Sequence, residues 1–120
     1  LLGVSGISSD MRTLRQSKSP AAVEAIALFV YRIVRETGSL AAALGGLDGF
    51  VFTAGIGEND AAVRAEVAAG CRWLGLDLEA DRNAKGRGVI SRDGAKVKCL
   101  VVPTDEERII ARYTGKVLGF

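Results

Sequence analysis

At 120 residues, with 48% hydrophobic and 25% charged, the chain is long enough and apolar enough for one domain with a buried core. Its 16 basic and 14 acidic residues are scattered, so a net charge of +2 provides neither the basic stripe that binds nucleic acid nor the block that an anionic membrane attracts. Histidine is absent, which removes the usual neutral-pH general base, and the two cysteines, Cys71 and Cys99, are expected as buried free thiols and not as a metal site.

Residues 3–20 are rich in Gly and Ser and are expected as a loop, with a helical turn around 10–16. Ser19-Pro20 is a helix-start pair, because Ser caps free N–H groups and Pro is preset for the first helical position. A mostly buried helix is expected from Ala21 to about Glu36, on the spacing of Val23, Ile26, Val30, Ile33 and Val34. Thr37-Gly38-Ser39 is expected to interrupt it, leaving Leu40–Leu44 as a second short helix that Gly45-Gly46 ends.

A strand over 49–54 follows, then Gly55-Ile56-Gly57 as a turn. Asn59 or Asp60 is expected to cap the next helix, with Val63, Val67, Cys71 and Leu74 on one face and Gly75 as its stop. The span 76–88 is expected as a loop with a turn of helix near 81–85. Strands at 88–91 and 96–102 are joined through Arg92-Asp93-Gly94, where Asp-Gly is the hairpin signal. Thr104-x-x-Glu107 has capping-box spacing and opens a last helix whose inner face is Ile109, Ile110, Tyr113 and Val117.

The order of elements is an α/β pattern with no internal repeat. If the strands at 49–54 and 96–102 run parallel, their carboxyl ends bring two strand-to-helix corners together, at 54–60 and 102–106, where ligands of such sheets bind. A strand ending on Gly-x-Gly before a helix suits a phosphate, although the pattern is met more often as tight packing. The dinucleotide fingerprint needs a third glycine where this chain has Asp60, and no P-loop pattern occurs. Glu107 belongs to the capping box, whereas Glu106 is left over. Asp105-Glu106-Glu107 is met more often as favourable charge at a helix N-terminus, but a hard carboxylate at a strand end suits magnesium if the two corners meet. Asp10-Met11-Arg12 fits a capping Asp with a solvated Arg as well as a pair contacting a nucleotide's base, ribose or amine.

Three segments, Ser5-Gly6-Ile7-Ser8-Ser9-Asp10-Met11-Arg12, Val51-Phe52-Thr53-Ala54-Gly55-Ile56-Gly57-Glu58-Asn59 and Val102-Pro103-Thr104-Asp105-Glu106-Glu107-Arg108, resemble in order the C-terminal part of the acetate kinase family. The resemblance runs from about Leu1 to Thr114. It implies that residues 1–120 form a partial C-terminal nucleotide-binding domain of the ribonuclease H-like, actin-type ATPase fold, a mixed sheet with flanking helices. The implied activity is transfer of the ATP γ-phosphoryl to acetate, giving acetyl phosphate and ADP, with Mg2+, in a cytoplasmic homodimer. Asp10, Met11 and Arg12 then contact the adenosine side; Gly55, Ile56, Gly57, Glu58 and Asn59 form the loop under the nucleotide; Glu106 helps to bind magnesium.

The family's catalytic arginines, acidic residue, histidine and acyl pocket lie in earlier segments, so the resemblance puts no catalytic residue in this chain. It implies a fragment that is inactive alone. Met11 departs from the aromatic of many relatives but stays apolar. Propionate or butyrate kinase, and a non-catalytic nucleotide-binding or dimerisation module, are the alternatives. Neither nucleic acid nor a membrane is expected as a partner.

Overall fold

The computed structural model describes residues 1–119. In chain order these form α1 (Leu2–Ser5), α2 (Met11–Gln16), α3 (Pro20–Leu44), β1 (Gly49–Phe52), α4 (Ala54–Asn59), α5 (Ala61–Gly70), a 3-10 turn (Arg72–Leu74), α6 (Ala80–Lys85), β2 (Gly88–Val89), β3 (Lys98–Val101) and α7 (Glu106–Leu118). The three strands lie in the order β1-β3-β2. β1 runs parallel to β3, and β2 antiparallel to it, so the sheet is mixed as expected.

Register places Phe50 opposite Cys99 and Phe52 opposite Val101. Alternation along each strand turns these four to one face, where the Phe50 and Phe52 rings meet at a tilt of 55° with centroids 4.9 Å apart. That face joins a core with Ala22, Ala25 and Ile26 of α3 and Val63, Val67 and Ala68 of α5. Cys71 and Cys99 are buried free thiols within it, as the sequence suggests, and burial pushes the Cys99 thiol up to about 11. Val51 points the other way and is 53% exposed.

Several expectations need correction. α3 is one helix of 25 residues, uninterrupted at Thr37-Gly38-Ser39. Thr37 is buried there, and a Cβ at Gly38 would lie 3.5 Å from the Trp73 ring, so tertiary packing overrides a local breaker that costs about 1 kcal/mol. Nor is α3 mostly buried: Val23, Leu28, Tyr31, Leu40 and Leu44 are exposed, because the described residues cover only one side of it. Ser19 stands at its N-cap with Pro20 following, but the serine side chain makes no capping bond.

The last helix starts at Glu106 and its cap is Asp105, whose carboxylate accepts from the Arg108 N–H at 3.0 Å, so Thr104-x-x-Glu107 is not the capping pair. Its apolar stripe forms at the expected spacing but is not an inner face. Ile109, Ile110, Tyr113 and Val117 are all exposed and α7 has no buried residue. Residues 1–20 hold the short α1 besides the expected α2. The turn of helix near 81–85 is present as α6, and Gly94 lies in the turn before β3 at φ 80°. Among the described residues no helix is long and apolar enough to cross a membrane.

Candidate functional site

The glycine corner is built differently from the expected strand-turn-helix. β1 stops at Phe52, and Ala54–Asn59 is itself a short helix that contains both glycines. Asp60, not Asn59, then caps α5, accepting from the Val63 N–H at 2.9 Å. Ala54 is the only non-glycine at positive φ among the described residues, at 58°, so the chain reverses at an unfavourable left-handed corner. The two glycines have separate uses. A Cβ on Gly57 would lie 3.3 Å from the Phe52 carbonyl carbon, which lets α4 fold back over β1, whereas a Cβ on Gly55 meets nothing within 4 Å. Gly55 therefore presents bare backbone to open space.

That open space is a cleft of about 420 Å3 between two walls. Ser9, Asp10, Met11 and Arg12 make one wall; Gly55, Ile56, Asn59 and Asp60 make the other. Its volume is in the range of small-ligand sites. The structure thus brings together six of the residues singled out in the sequence, from segments more than 40 positions apart.

On the first wall Asp10 caps α2, with its Oδ1 accepting from the N–H groups of Arg12 at 2.7 Å and Thr13 at 3.2 Å. Its Oδ2 accepts from the Arg12 guanidinium at 3.0 Å. The Arg12 side-chain bond and then those backbone bonds hold the Asp10 carboxyl down at about 2. Arg12 is 88% exposed at the rim, its guanidinium paired with Asp10 and otherwise open to solvent. Met11 is 5% exposed and forms the apolar floor. On the second wall Asn59 donates to the Gly55 carbonyl at 2.8 Å, across one turn of α4.

Gly57, Glu58 and Glu106 are not among the residues that line this cleft. Glu58 instead reaches the other corner, where the Thr104 N–H and hydroxyl both donate to its Oε1, at 2.9 and 3.1 Å. These bonds, the backbone one foremost, hold the Glu58 carboxyl below the usual carboxylate range. Thr53 adds a second tie, its hydroxyl donating to the Val102 carbonyl at 2.8 Å. The two strand-to-helix corners therefore do meet. Glu106 lies two residues past Thr104, exposed in the first turn of α7. No group of three or more His, Cys, Asp and Glu that could hold a metal occurs among the described residues, so Glu106 would be a single protein carboxylate. That suits magnesium, which takes one or two carboxylates and completes its shell with water and phosphate oxygens.

One important residue escaped the sequence reading. Arg64 of α5 is 1% exposed and its guanidinium holds three segments together. Its Nη1 donates to the carbonyls of Gly57 and Glu58, both at 2.9 Å, while Nε and Nη2 donate to the side chain and carbonyl of Asn83 at 2.8 and 2.6 Å. Burial pulls the Arg64 pKa down, opposed by the charge of Asp60. Its position next to Val63 on the helix is the only trace of this in the sequence. A charged residue there ordinarily indicates solvent.

The model of the acetokinase family matches residues 1–112. The chain is 56% identical over 119 residues to an acetate kinase of Rhodopseudomonas palustris (strain TIE-1), a match covering 98% of this chain and 30% of that protein. It superposes on the crystal structure of Porphyromonas gingivalis acetate kinase with a TM-score of 0.85 at 41% identity, over 98% of this chain and 31% of that one. Against a propionate kinase from Francisella tularensis subsp. tularensis SCHU S4 the TM-score is 0.84 at 31% identity, over 92% and 29%. The chain thus spans about 30% of the length of the curated relatives it matches.

Proposed function

The chain belongs to the acetokinase family, and from that premise we propose that it is the C-terminal nucleotide-holding part of an ATP-dependent acetate kinase, a cytoplasmic homodimer that makes acetyl phosphate and ADP from acetate and ATP. The observation that carries this reading is the two-walled cleft, in which Asp10, Met11 and Arg12 face Gly55, Ile56 and Asn59. Met11 gives an apolar floor for a base, Arg12 an exposed cation for a ribose or a phosphate, and Asp10 an acceptor for a hydroxyl or amine. Gly55 leaves room for backbone to approach a phosphate. Gly57 and Glu58 support that loop from beneath, since Arg64 holds their carbonyls and Thr104 holds the Glu58 carboxylate.

Phosphoryl transfer to a carboxylate needs mainly positioning and neutralisation of charge. Glu106 would hold magnesium, which when bound neutralises phosphate charge as the phosphoryl group moves. This chain's own contribution is to fix the nucleotide, and the acyl pocket and reacting groups belong to the rest of the enzyme. Propionate is the second acceptor to consider, on the likeness to the Francisella propionate kinase.

The full-length enzyme should form acetyl phosphate, trapped as the hydroxamate, and the 120-residue chain alone should form none. Glu106→Ala in the full-length enzyme should cut magnesium-dependent turnover about a hundredfold and leave its circular dichroism unchanged. An unchanged rate would remove the metal role, and turnover by the 120-residue chain would overturn the division of labour. Nucleotide-free dimerisation of an inactive full-length protein would favour a non-catalytic module.

A further inference from the structure

Arg15, one helical turn beyond Met11, lies outside the cleft and yet spans both of its walls. Its Nε meets the Asp60 Oδ2 at 3.4 Å and its Nη1 the Glu66 Oε1 at 2.9 Å. Among the described residues it is the only side chain of α2 hydrogen-bonded to the α4–α5 wall. Asp60 is itself firmly placed. Its N–H donates to the Ile56 carbonyl at 2.9 Å, its Oδ1 caps α5 through Val63, and only Oδ2 is left for Arg15. The Arg15 and Asp60 side chains are 29% and 16% exposed, so this pair is better shielded than the Arg12–Asp10 pair at the rim.

We propose that Arg15 is a positioning residue that sets the width of the cleft, by fastening α2 to the junction of α4 and α5. Met11 and Arg15 are four residues apart and so share one side of α2. The residue that floors the cleft and the residue that ties it therefore move as one unit. Met11 and Leu14, 5% and 1% exposed, seat α2 in the core, where it packs chiefly on α3; apolar contacts of that kind are non-directional and do not fix its distance from the α4–α5 wall. A site 1 Å too loose loses affinity without losing its contacts. The inference rests on the nucleotide reading of the cleft and adds a residue that touches no nucleotide.

The test compares steady-state kinetics of the full-length enzyme and its Arg15→Gln, Arg15→Lys, Glu66→Gln and Arg12→Ala variants, alongside melting curves. Arg15→Gln should raise the KM for ATP about fivefold while kcat stays within about twofold. Lys should restore part of the loss, and Glu66→Gln should give a smaller rise of the same kind. Rising ionic strength should raise the KM of the wild type more steeply than that of Arg15→Gln, so that the two converge; parallel salt responses would show that the effect of the substitution is not electrostatic and would overturn the tie. If Arg12→Ala raises the KM but neither Arg15→Gln nor Glu66→Gln does, the tie is wrong and the nucleotide reading stands. If Arg12→Ala also leaves the KM unchanged, the nucleotide reading fails and the inference with it. Should Arg15→Gln not fold, Glu66→Gln decides: an unaltered KM overturns the proposal.

Discussion

Glu58 and Thr104, 46 positions apart, are joined by two hydrogen bonds to one carboxylate oxygen. This pair locks the corner after β1 to the corner after β3, and so places the helix that bears Glu106 relative to the glycines that bear the cleft. Parallel pairing of the two strands brings the corners near each other; the Glu58 carboxylate sets their separation. Glu58→Ala should therefore free the Thr104 amide, raising its hydrogen-exchange rate about tenfold. Glu58→Gln, which keeps an acceptor, should restore most of the protection. Equal exchange in all three proteins would show that the bond does not hold the corners.

Arg64 makes a second prediction. Its removal leaves the buried carbonyl of Asn83 and the partly buried carbonyls of Gly57 and Glu58 without their partner. Arg64→Met, which keeps the apolar stem, should cost about 3 kcal/mol of stability in chemical denaturation. Lysine should recover less than half, because one ammonium cannot reach both α4 and Asn83 in the planar arrangement of a guanidinium. A loss below about 0.5 kcal/mol would mean that water replaces the guanidinium freely.

The Asp10 carboxyl supplies a pH prediction. Its folded pKa lies at about 2, below the ordinary 3.8, because the Arg12 side chain and the first N–H groups of α2 bond the ionised form. A group depressed on folding contributes stability that is fully present above its unfolded value and is lost as pH falls through the folded one. The Asp10 contribution should thus persist to about pH 4 and vanish between there and about pH 2. Carbon-13 NMR titration of the carboxyl should give a midpoint well below 3.8, moving up in Arg12→Ala. A midpoint at or above the ordinary value would contradict the Arg12 contact.

Much of this architecture could be read from local patterns. Asp10 at a helix start, Gly94 in the turn before β3 and the four-residue spacing of Val63, Val67 and Cys71 each reflect short-range physics, and each is found. Failures occur where distant parts of the chain decide. Trp73 packs on Gly38 and α3 runs through it; Thr104 turns to Glu58, leaving the cap to Asp105; Arg64 turns inward to carbonyls of α4 and α6. The apolar stripe of α7 was legible as a stripe, but periodicity does not say whether a surface exists to receive it. At the site, the motif residues identified both walls. The ties behind them, Arg15 and Arg64, look like ordinary solvated charges in the sequence.

The cleft between α2 and α4 as the seat of the adenine nucleotide is tested most directly by photolabelling the full-length enzyme with an azido-adenine analogue of ATP, followed by peptide mapping. The label should fall on the peptides that contain Ser9–Arg12 or Gly55–Asp60, and excess ADP should abolish it. Labelling that ADP suppresses but that maps to neither peptide would contradict the assignment.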